Sequence, residues 1–280
     1  MIKEKIPSAP GNTWVGLIFL FSAGTGEPLA IFPDGVVQRM RVAATSALAA
    51  REMARPDASV LGIFGSGWQA GGHIAAFCKV RNIEKILCYS PTKAKRENFA
   101  QEMERQTGIP VEPTSRSEDV TIRSDILIAA TNAITRVIEP DWVQPGMHIT
   151  CVKDCELGEE TIRKAHRIAI HARKFAPENY IVGLGDEKIE IHDPIDYLRQ
   201  KSRPASIPTP PFWIDAPEIK DIIAGRVRGR ESPEEITCFI NNIGLGIQFA
   251  AVGSAIYAEA KTRGIGREIP TEWFLERVHP

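Results

Sequence analysis

The chain has 280 residues, which is enough for one large domain or two domains of ordinary size. Its hydrophobic share of 43% and charged share of 25% are those of globular proteins and exclude the collagen-like, coiled-coil and intrinsically disordered classes. With 34 Lys and Arg against 35 Asp and Glu, the net charge of −1 gives no field that would attract nucleic acid or an anionic membrane, so neither is expected as a partner. The five cysteines are sparse and odd in number, which favours a reducing, cytoplasmic compartment over a disulfide framework.

The apolar run at 14–21 imitates a short signal peptide, but a hairpin explains it better. Pro7, Pro10 and Gly11 separate the basic start from this run, and the run is far shorter than the ~20 residues that cross a bilayer. A turn at 24–27 leads to a second apolar segment at 28–32. We therefore expect two strands here, and neither a targeting segment nor a membrane span.

Helical and strand patterns then alternate along the chain. The Ala-rich segment 42–55 predicts a helix that stops at Pro56, and further helices are predicted from Ala70 to Lys79 and up to Glu104. Apolar runs predict strands at 60–64, 85–89, 125–131, 147–152 and 167–171 and around Val111. Strands separated by helices are typical of βαβ units, so the sequence predicts an α/β fold with a doubly wound parallel sheet.

The last third of the chain is less regular. Closely spaced prolines indicate an irregular surface connection over 194–217. A short helix is predicted at 218–224, a strand at 236–240 and a long helix at about 245–263. The small residues of that last helix would allow another helix to approach closely, as at a subunit interface.

The strongest functional signal follows the strand at 60–64, where the sequence reads Gly65-Ser66-Gly67-Trp68-Gln69-Ala70. Glycines at this point let the backbone turn tightly and approach a pyrophosphate, which the positive N-terminus of the next helix attracts. The alternative is a tight strand-to-helix turn without a ligand, which the βα units that follow disfavour. We predict a Rossmann-type dinucleotide site in which these six residues bind the cofactor.

The end of the second strand favours NADP over NAD. NAD sites usually carry an Asp or Glu there, which accepts hydrogen bonds from the ribose hydroxyls. This chain reads Tyr89-Ser90-Pro91-Thr92-Lys93, without an acid. Ser90, Thr92 and Lys93 are therefore predicted to bind a 2′-phosphate, and NAD remains the alternative cofactor. In the competing interpretation, the cations from Lys93 onwards are ordinary solvated charges of the next helix.

Other candidate residues lie at the carboxyl ends of later strands, the edge where doubly wound sheets bind ligands. Thr131 and Asn132 are predicted to contact the nicotinamide half of the cofactor. His171 ends the strand at 167–171, where a structural role is equally compatible with its position. Cys151 and Cys155 lack a second pair of ligands, so no metal site is predicted.

Two arginines flank Met40 just before the Ala-rich helix. A guanidinium can hold a substrate carboxylate through two parallel hydrogen bonds, which lysine cannot do. We expect one of Arg39 and Arg41 to point inward and bind a carboxylate, and the other to be solvated. A pair of exposed arginines is the alternative.

Motifs spread over nearly the whole chain resemble the ornithine cyclodeaminase/mu-crystallin family. In chain order they are Gly26-Glu27-Pro28-Leu29-Ala30, Arg41-Val42-Ala43-Ala44-Thr45-Ser46-Ala47, Gly65-Ser66-Gly67-Trp68-Gln69-Ala70, Ala130-Thr131-Asn132, Pro145-Gly146-Met147-His148, Ile236-Thr237-Cys238-Phe239 and Tyr257-Ala258-Glu259-Ala260 with Gly264-Ile265-Gly266. The family spans cyclodeaminases, amino-acid dehydrogenases and ketimine or pyrroline-carboxylate reductases.

The resemblance implies a homodimer of two-domain chains. Residues 1–55 with 232–280 would form a smaller α+β substrate and dimerisation domain, and a Rossmann-type domain of residues 56–231 would be inserted between them. It also implies that Arg41 binds the substrate carboxylate. The family has a substrate-contacting lysine in a longer N-terminal region, and Lys5 or Lys3 is the candidate equivalent here.

The sequence departs from the family at the usual acid/base positions. His171 takes the place of the family's catalytic aspartate, and Ile247-Gln248-Phe249 stands where another aspartate is common. Because imidazole transfers protons near neutral pH, His171 is the candidate proton donor. The leading hypothesis is an NADP-linked oxidoreductase that acts on a small amino or imino acid. The alternatives are an ornithine cyclodeaminase with bound nicotinamide cofactor and a nucleotide-binding protein with impaired catalysis.

Overall fold

The computed structural model describes residues 15–173, 211–274 and 276. The chain forms two compact units, Met1–Arg41 with Leu245–Pro280 and Val42–Gly244. The sequence places the divisions instead at 55/56 and 231/232. The difference at the second division arises because the strand at 237–240 pairs with strands of the larger unit on both of its sides.

The predicted hairpin is present at the start of the described chain. Strand β1 (Leu17–Phe21) pairs antiparallel with β2 (Pro28–Pro33). Gly26, with φ of 75°, forms part of the connecting turn. Helix α1 (Asp34–Met53) follows directly and begins earlier than predicted, with Asp34 in its first turn, where a carboxylate complements the helix dipole.

Seven parallel strands form the sheet of the larger unit, in the order β5-β4-β3-β6-β7-β9-β8. β3 (Val60–Phe64) and β4 (Lys85–Tyr89) have the predicted bounds. The other strands are β5 (Val111–Pro113), β6 (Ile126–Ala129), β7 (His148–Cys151), β8 (Arg167–Ile170) and β9 (Thr237–Ile240). Because the order reverses between β3 and β6, the predicted Rossmann-type doubly wound sheet is confirmed.

Helices of the larger unit cover both faces of this sheet. They include α2 (Trp68–Phe77), α3 (Lys93–Thr107), α4 (Ser117–Ile122), α5 (Gly158–Ile162) and α6 (Ile219–Ile223). Successive strand side chains point to opposite faces, so Ile63 packs in the cluster that contains Ile74 of α2, and Leu127 packs in the cluster that contains Val120 of α4. The sequence does not predict α4 or α5, since so few residues carry little periodicity.

Helix α7 (Gly246–Arg263) belongs to the smaller unit and matches the predicted long helix. It ends at Gly264, which has the left-handed conformation usual after a helix. A Cβ on Gly253 would make ordinary van der Waals contact with the Phe32 ring, at 3.5 Å, and with the Leu20 side chain, at 3.8 Å, so the helix packs against the hairpin at this residue. Among the described residues, no helix combines the length and the apolar character that a membrane crossing requires.

Candidate functional site

The glycine-rich turn connects β3 to α2 at the carboxyl edge of the sheet. Gly65 has φ of 111°, which L side chains rarely adopt, and a Cβ on it would collide with the carbonyl oxygen of Ala130, just after β6. Its N–H donates to the Tyr89 carbonyl at the end of β4, with an N···O distance of 2.9 Å. The turn is therefore anchored to both neighbouring strands, at the point where the strand order reverses.

The first turn of α2 has the features of a ligand site. Gly67 precedes the helix without a side-chain capping bond, and a Cβ on it would meet no described atom within 4 Å. Trp68 is 58% exposed, and the buried Oε1 of Gln69 has no hydrogen-bond partner among the described residues. The N-terminal N–H groups of a helix lack intrahelical partners and attract anions. These residues fit the pyrophosphate of a dinucleotide.

Ala70 is an exception within the predicted set. It is fully buried in the core that α2 forms with the sheet. Ala70 is the third small residue of the motif, and its side chain allows the helix to pack closely on the sheet. This side chain is not available to touch a ligand.

Hydroxyl groups connect the glycine-rich turn to the end of β4. Ser66 Oγ donates to Ser90 Oγ at 3.0 Å, and Ser90 is buried. Thr92 precedes α3 in an extended conformation without a side-chain capping bond. Lys93 is the first residue of α3, its side chain is 76% exposed, and its Nζ lies 3.8 Å from Glu97. The predicted phosphate-binding residues therefore lie on one short loop next to the glycine-rich turn.

Arg96 shapes that loop. Its Nη1 donates to the carbonyls of Ser90, at 3.2 Å, and Pro91, at 3.4 Å. The interpretation of Arg96 as an ordinary solvated helix charge is therefore wrong, because its guanidinium holds the backbone of the loop that ends β4.

Thr131 lies after β6, and its polar atoms are bound within the protein. Its N–H and its hydroxyl donate to Glu156 Oε1 at 2.6 and 2.7 Å, and the hydroxyl accepts from Ala133 N–H at 3.0 Å. Asn132 is exposed beside it. Sequence reasoning missed Glu156, which is buried although it lies in the charged stretch 153–156. Only its position shortly after the carboxyl end of β7 pointed to it.

His171 follows β8 and is buried, with its ring held by a backbone carbonyl. The backbone N–H of His171 donates to the Ile240 carbonyl and to Asn242 Oδ1, both at 3.1 Å. Nδ1 lies 2.6 Å from the Ile243 carbonyl oxygen. Since a carbonyl only accepts, Nδ1 of the neutral ring carries the proton, and Nε2 carries the lone pair.

Asn241 and Asn242 directly follow β9 and were also missed. Asn242 Nδ2 donates to the Ala172 carbonyl at 2.8 Å, so this side chain joins the ends of β8 and β9. Asn241 Nδ2 donates to the Val42 carbonyl and to Ser46 Oγ, both at 3.1 Å. Two amides directly after an apolar strand were the available signal.

Arg41 lies in the smaller unit and contacts the first turn of α7. Its Nη1 donates to Gln248 Oε1 at 3.3 Å, and its Cζ lies 4.9 Å from the centre of the Phe249 ring. Burial lowers the pKa of Arg41, and the Asp34 carboxylate opposes that shift. Arg39 is also half-buried, and burial lowers its pKa too, so the structure does not show the solvated neighbour that the sequence predicts. Lys5 lies outside the described residues.

His148 on β7 joins two strands of the sheet. His148 is fully buried, and its Nδ1 lies 2.9 Å from Thr237 Oγ1 on β9. Burial lowers the pKa of His148 to about 3, and the charges of Arg230 and Arg81 act in the same direction. Over the described ranges, no three His, Cys, Asp or Glu side chains come together as metal ligands would.

Comparison with known proteins gives the class of the molecule. The sequence matches the ornithine cyclodeaminase/mu-crystallin family over residues 3–264, and the chain belongs to that family. Among its relatives, the Delta(1)-pyrroline-2-carboxylate reductase of Bacillus cereus is 31% identical over 259 residues, which are 91% of this chain and 74% of the relative.

Two solved structures resemble the fold closely. The Delta(1)-pyrroline-2-carboxylate reductase of Thermococcus litoralis, in complex with NADH and L-proline, has a TM-score of 0.72 and 31% identity over 90% of this chain and 74% of that one. An archaeal alanine dehydrogenase dimer with bound NAD has a TM-score of 0.70 and 28% identity over 91% and 73% of the two chains. These relatives confirm the predicted nicotinamide-dependent oxidoreductase of this family.

Proposed function

We propose that this protein is an NADPH-dependent reductase of a small cyclic imino acid of the Δ1-pyrroline-2-carboxylate kind. The observation that carries the cofactor assignment is the acid-free end of β4, where the buried Ser90 hydroxyl accepts a hydrogen bond from Ser66 of the glycine-rich turn. The substrate class is taken from the reductase relatives, two of which are 31% identical to this chain.

The loop after β4 favours a phosphate on the adenosine ribose. An aspartate in this position would accept from two ribose hydroxyls and repel a 2′-phosphate. Ser90, Thr92 and Lys93 instead offer two hydroxyls and one cation, and Arg96 fixes the loop backbone. Charge-assisted hydrogen bonds to phosphate are the strong ones, so these groups select NADPH over NADH.

Arg41 binds the substrate carboxylate in this proposal, and His171 supplies the proton. Gln248 and Phe249 contact the Arg41 guanidinium, and a guanidinium is the group that forms bidentate pairs with carboxylates. In its imidazolium form, His171 would donate the Nε2 proton to the imine nitrogen and keep the Nδ1 proton, which faces the Ile243 carbonyl. A nicotinamide cofactor held at the glycine-rich turn would supply the hydride for the imine carbon.

The test begins with cofactor binding. Nicotinamide fluorescence should rise when NADPH is added to the protein and respond much less to NADH. Ser90→Asp should weaken NADPH binding by about tenfold or more and spare NADH, since about 1.4 kcal/mol corresponds to tenfold. Ser90→Ala, which removes the hydroxyl without adding charge, should weaken NADPH binding less. If neither dinucleotide binds, the proposal is wrong; a clear preference for NADH removes only the NADP part.

The substrate is tested with a panel followed by NADPH absorbance. Δ1-Pyrroline-2-carboxylate should consume NADPH and yield proline, and pyruvate with ammonia should be a poorer substrate. Release of ammonia and proline from ornithine, without net use of NADPH, would establish the cyclodeaminase alternative instead. Cofactor binding without turnover of any of these compounds would establish impaired catalysis.

A second copy of the chain completes the proposed assembly. One face of the β1–β2 hairpin is exposed and apolar, and it consists of Leu17, Phe19, Phe21, Leu29 and Ile31. Contiguous apolar patches on a protein surface mark interaction sites. The archaeal alanine dehydrogenase relative is a dimer. We place a homodimer contact on this face.

A further inference from the structure

Glu156 is a buried carboxylate at the ligand edge of the sheet. It is 0% exposed and lies in a short 3₁₀ helix, Asp154–Glu156, after β7. Three donors converge on it: the N–H and hydroxyl of Thr131 on Oε1, and the N–H of Lys153 on Oε2 at 3.0 Å. A buried carboxylate is costly unless it is hydrogen-bonded, and these contacts satisfy both oxygens.

Further bonds tie the same two segments together. Lys153 Nζ donates to the Ala133 carbonyl at 2.6 Å, and Val137 N–H donates to the Glu156 carbonyl at 2.8 Å. The segment after β6, residues 131–137 (the β6 loop), is thus held at both ends by residues 153–156. Its path is set by the connection after β7.

The β6 loop begins next to the glycine-rich turn. Ala130 N–H donates to the Phe64 carbonyl at 3.0 Å, and the Ala130 carbonyl oxygen occupies the space that a Cβ on Gly65 would need. Thr131 is the next residue and the first one that Glu156 holds. A shift of Thr131 would therefore move the chain beside the turn that binds the dinucleotide in the proposed function.

We propose that Glu156 is a positioning residue for the nicotinamide half of the cofactor. This inference rests on the proposed function. Glu156 acts through Thr131: it fixes the start of the β6 loop, so that Asn132 and the loop backbone form one wall of the nicotinamide site. The adenosine half lies on the Ser90 loop, whose hydrogen bonds do not involve Glu156.

Both side-chain oxygens of Glu156 have to act as hydrogen-bond acceptors, because each of them faces an N–H donor. In Glu156→Gln the side chain keeps its size, but an NH2 group replaces one oxygen and faces an N–H donor of either Thr131 or Lys153. One buried N–H is then left without an acceptor, and the β6 loop has to move.

The experiment compares the whole cofactor with a fragment that lacks the nicotinamide half. In Glu156→Gln, the Kd of 2′,5′-ADP from calorimetry should stay as in the wild type, while the fluorescence enhancement of bound NADPH is lost. The turnover number kcat should fall by about 10- to 100-fold, since small misplacements of reacting groups have effects of that size. The imino-acid KM should not change. If the wild type prefers NADH, the same experiment uses ADP instead of 2′,5′-ADP and NADH instead of NADPH.

Matched variants separate this role from a general loss of structure. Glu159→Gln makes the same charge change on an exposed side chain of α5 and should alter nothing. Thr131→Val keeps the backbone bond to Glu156, so it should reproduce a smaller part of the effect even if Glu156→Gln does not fold. Equal losses of 2′,5′-ADP and NADPH affinity, or unchanged fluorescence and kcat, would overturn the inference. Failure of the wild type to bind any nicotinamide dinucleotide would overturn the proposed function itself.

Discussion

Arg41 lies on α1, two residues after Arg39, and contacts the first turn of α7. Gln248 accepts a hydrogen bond from Arg41, and the Phe249 ring lies against its guanidinium. Gln248 Oε1 also accepts from Leu245 N–H at 2.9 Å, so the amide that holds Arg41 is itself held by the start of α7. A guanidinium supported in this way can present a fixed pair of N–H groups to a carboxylate.

Arg41→Lys should impair use of the imino acid and leave NADPH binding unchanged. Lysine cannot form the bidentate pair, so kcat/KM should fall by the equivalent of ~1.5–3 kcal/mol, the usual worth of a charged hydrogen bond. Steady-state kinetics and NADPH fluorescence measure the two effects. Arg39→Lys is the control and should change neither. Equal losses in both variants would place the substrate carboxylate elsewhere.

His148 makes the stability of the sheet depend on pH. Its folded-state pKa of about 3 lies below the usual 6.5 because the ring is buried, next to Thr237 of β9. Below pH 6.5, His148 is protonated in the unfolded chain but stays neutral in the native state. The stabilisation is therefore complete above about pH 6.5 and is lost progressively as the pH falls toward 3, by at most ~1.4 kcal/mol per pH unit.

Urea unfolding at pH 7, 6 and 5 should show this loss. His148→Asn removes the titrating ring, so its unfolding free energy, although lower at pH 7, should change less between pH 7 and 5 than that of the wild type. The same slope in both proteins would mean that another group causes the acid sensitivity.

At the scale of elements, the turn between β3 and α2 contains one glycine that affects stability and one that affects cofactor binding in the proposed function. Its two glycines have different reasons to be glycine. Gly65 has positive φ and lies against the Ala130 carbonyl, whereas Gly67 adjoins space free of described atoms. The first glycine is required by the fold, and the second, in the proposed function, leaves room for a phosphate.

Gly65→Ala should destabilise the larger unit by ~1–3 kcal/mol or more, through backbone strain and the collision with Ala130. Gly67→Ala should leave the melting temperature unchanged and weaken NADPH binding by about tenfold or more, equivalent to ~1.4 kcal/mol. Thermal melting and nicotinamide fluorescence measure the two quantities on each variant. If Gly67→Ala binds NADPH normally, the pyrophosphate does not lie over that residue.

At the scale of the whole molecule, the exposed hairpin face should hold two chains together. Phe19 is 52% exposed and lies opposite Ile31, which is 42% exposed, in the middle of that face. A charge placed there would be buried unpaired in a dimer, at a cost of several kcal/mol per ion.

Phe19→Asp should convert the protein from dimer to monomer in size-exclusion chromatography with light scattering. Ile134→Asp, which changes an even more exposed apolar residue of the larger unit, should leave the dimer intact. A wild type that is monomeric at micromolar concentration, or a Phe19→Asp variant that remains dimeric, would rule out this contact.

The sequence by itself determined the sheet strands, the doubly wound class of the sheet and the glycine-rich turn. These features depend on local signals: apolar runs of strand length, helix formers between them, and glycines where the backbone must turn. β3 and β4 were predicted to the residue, because turn or breaking residues bound each apolar run. Family motifs along the chain added the class of enzyme, which the relatives confirm.

Only the tertiary structure decided which polar side chains are buried and what they hold. β9 lies between β7 and β8 although it follows both in sequence, so the meeting of His171 with Asn242 and Ile243 required long-range strand pairing. Glu156 stands among charged residues, and three donors compensate its burial: two from Thr131, 25 residues away, and the N–H of Lys153. Arg39 is half-buried by folding, against the prediction from its sequence. Hydrogen-bond partners of this kind are distant in sequence, so residue type and periodicity do not predict them.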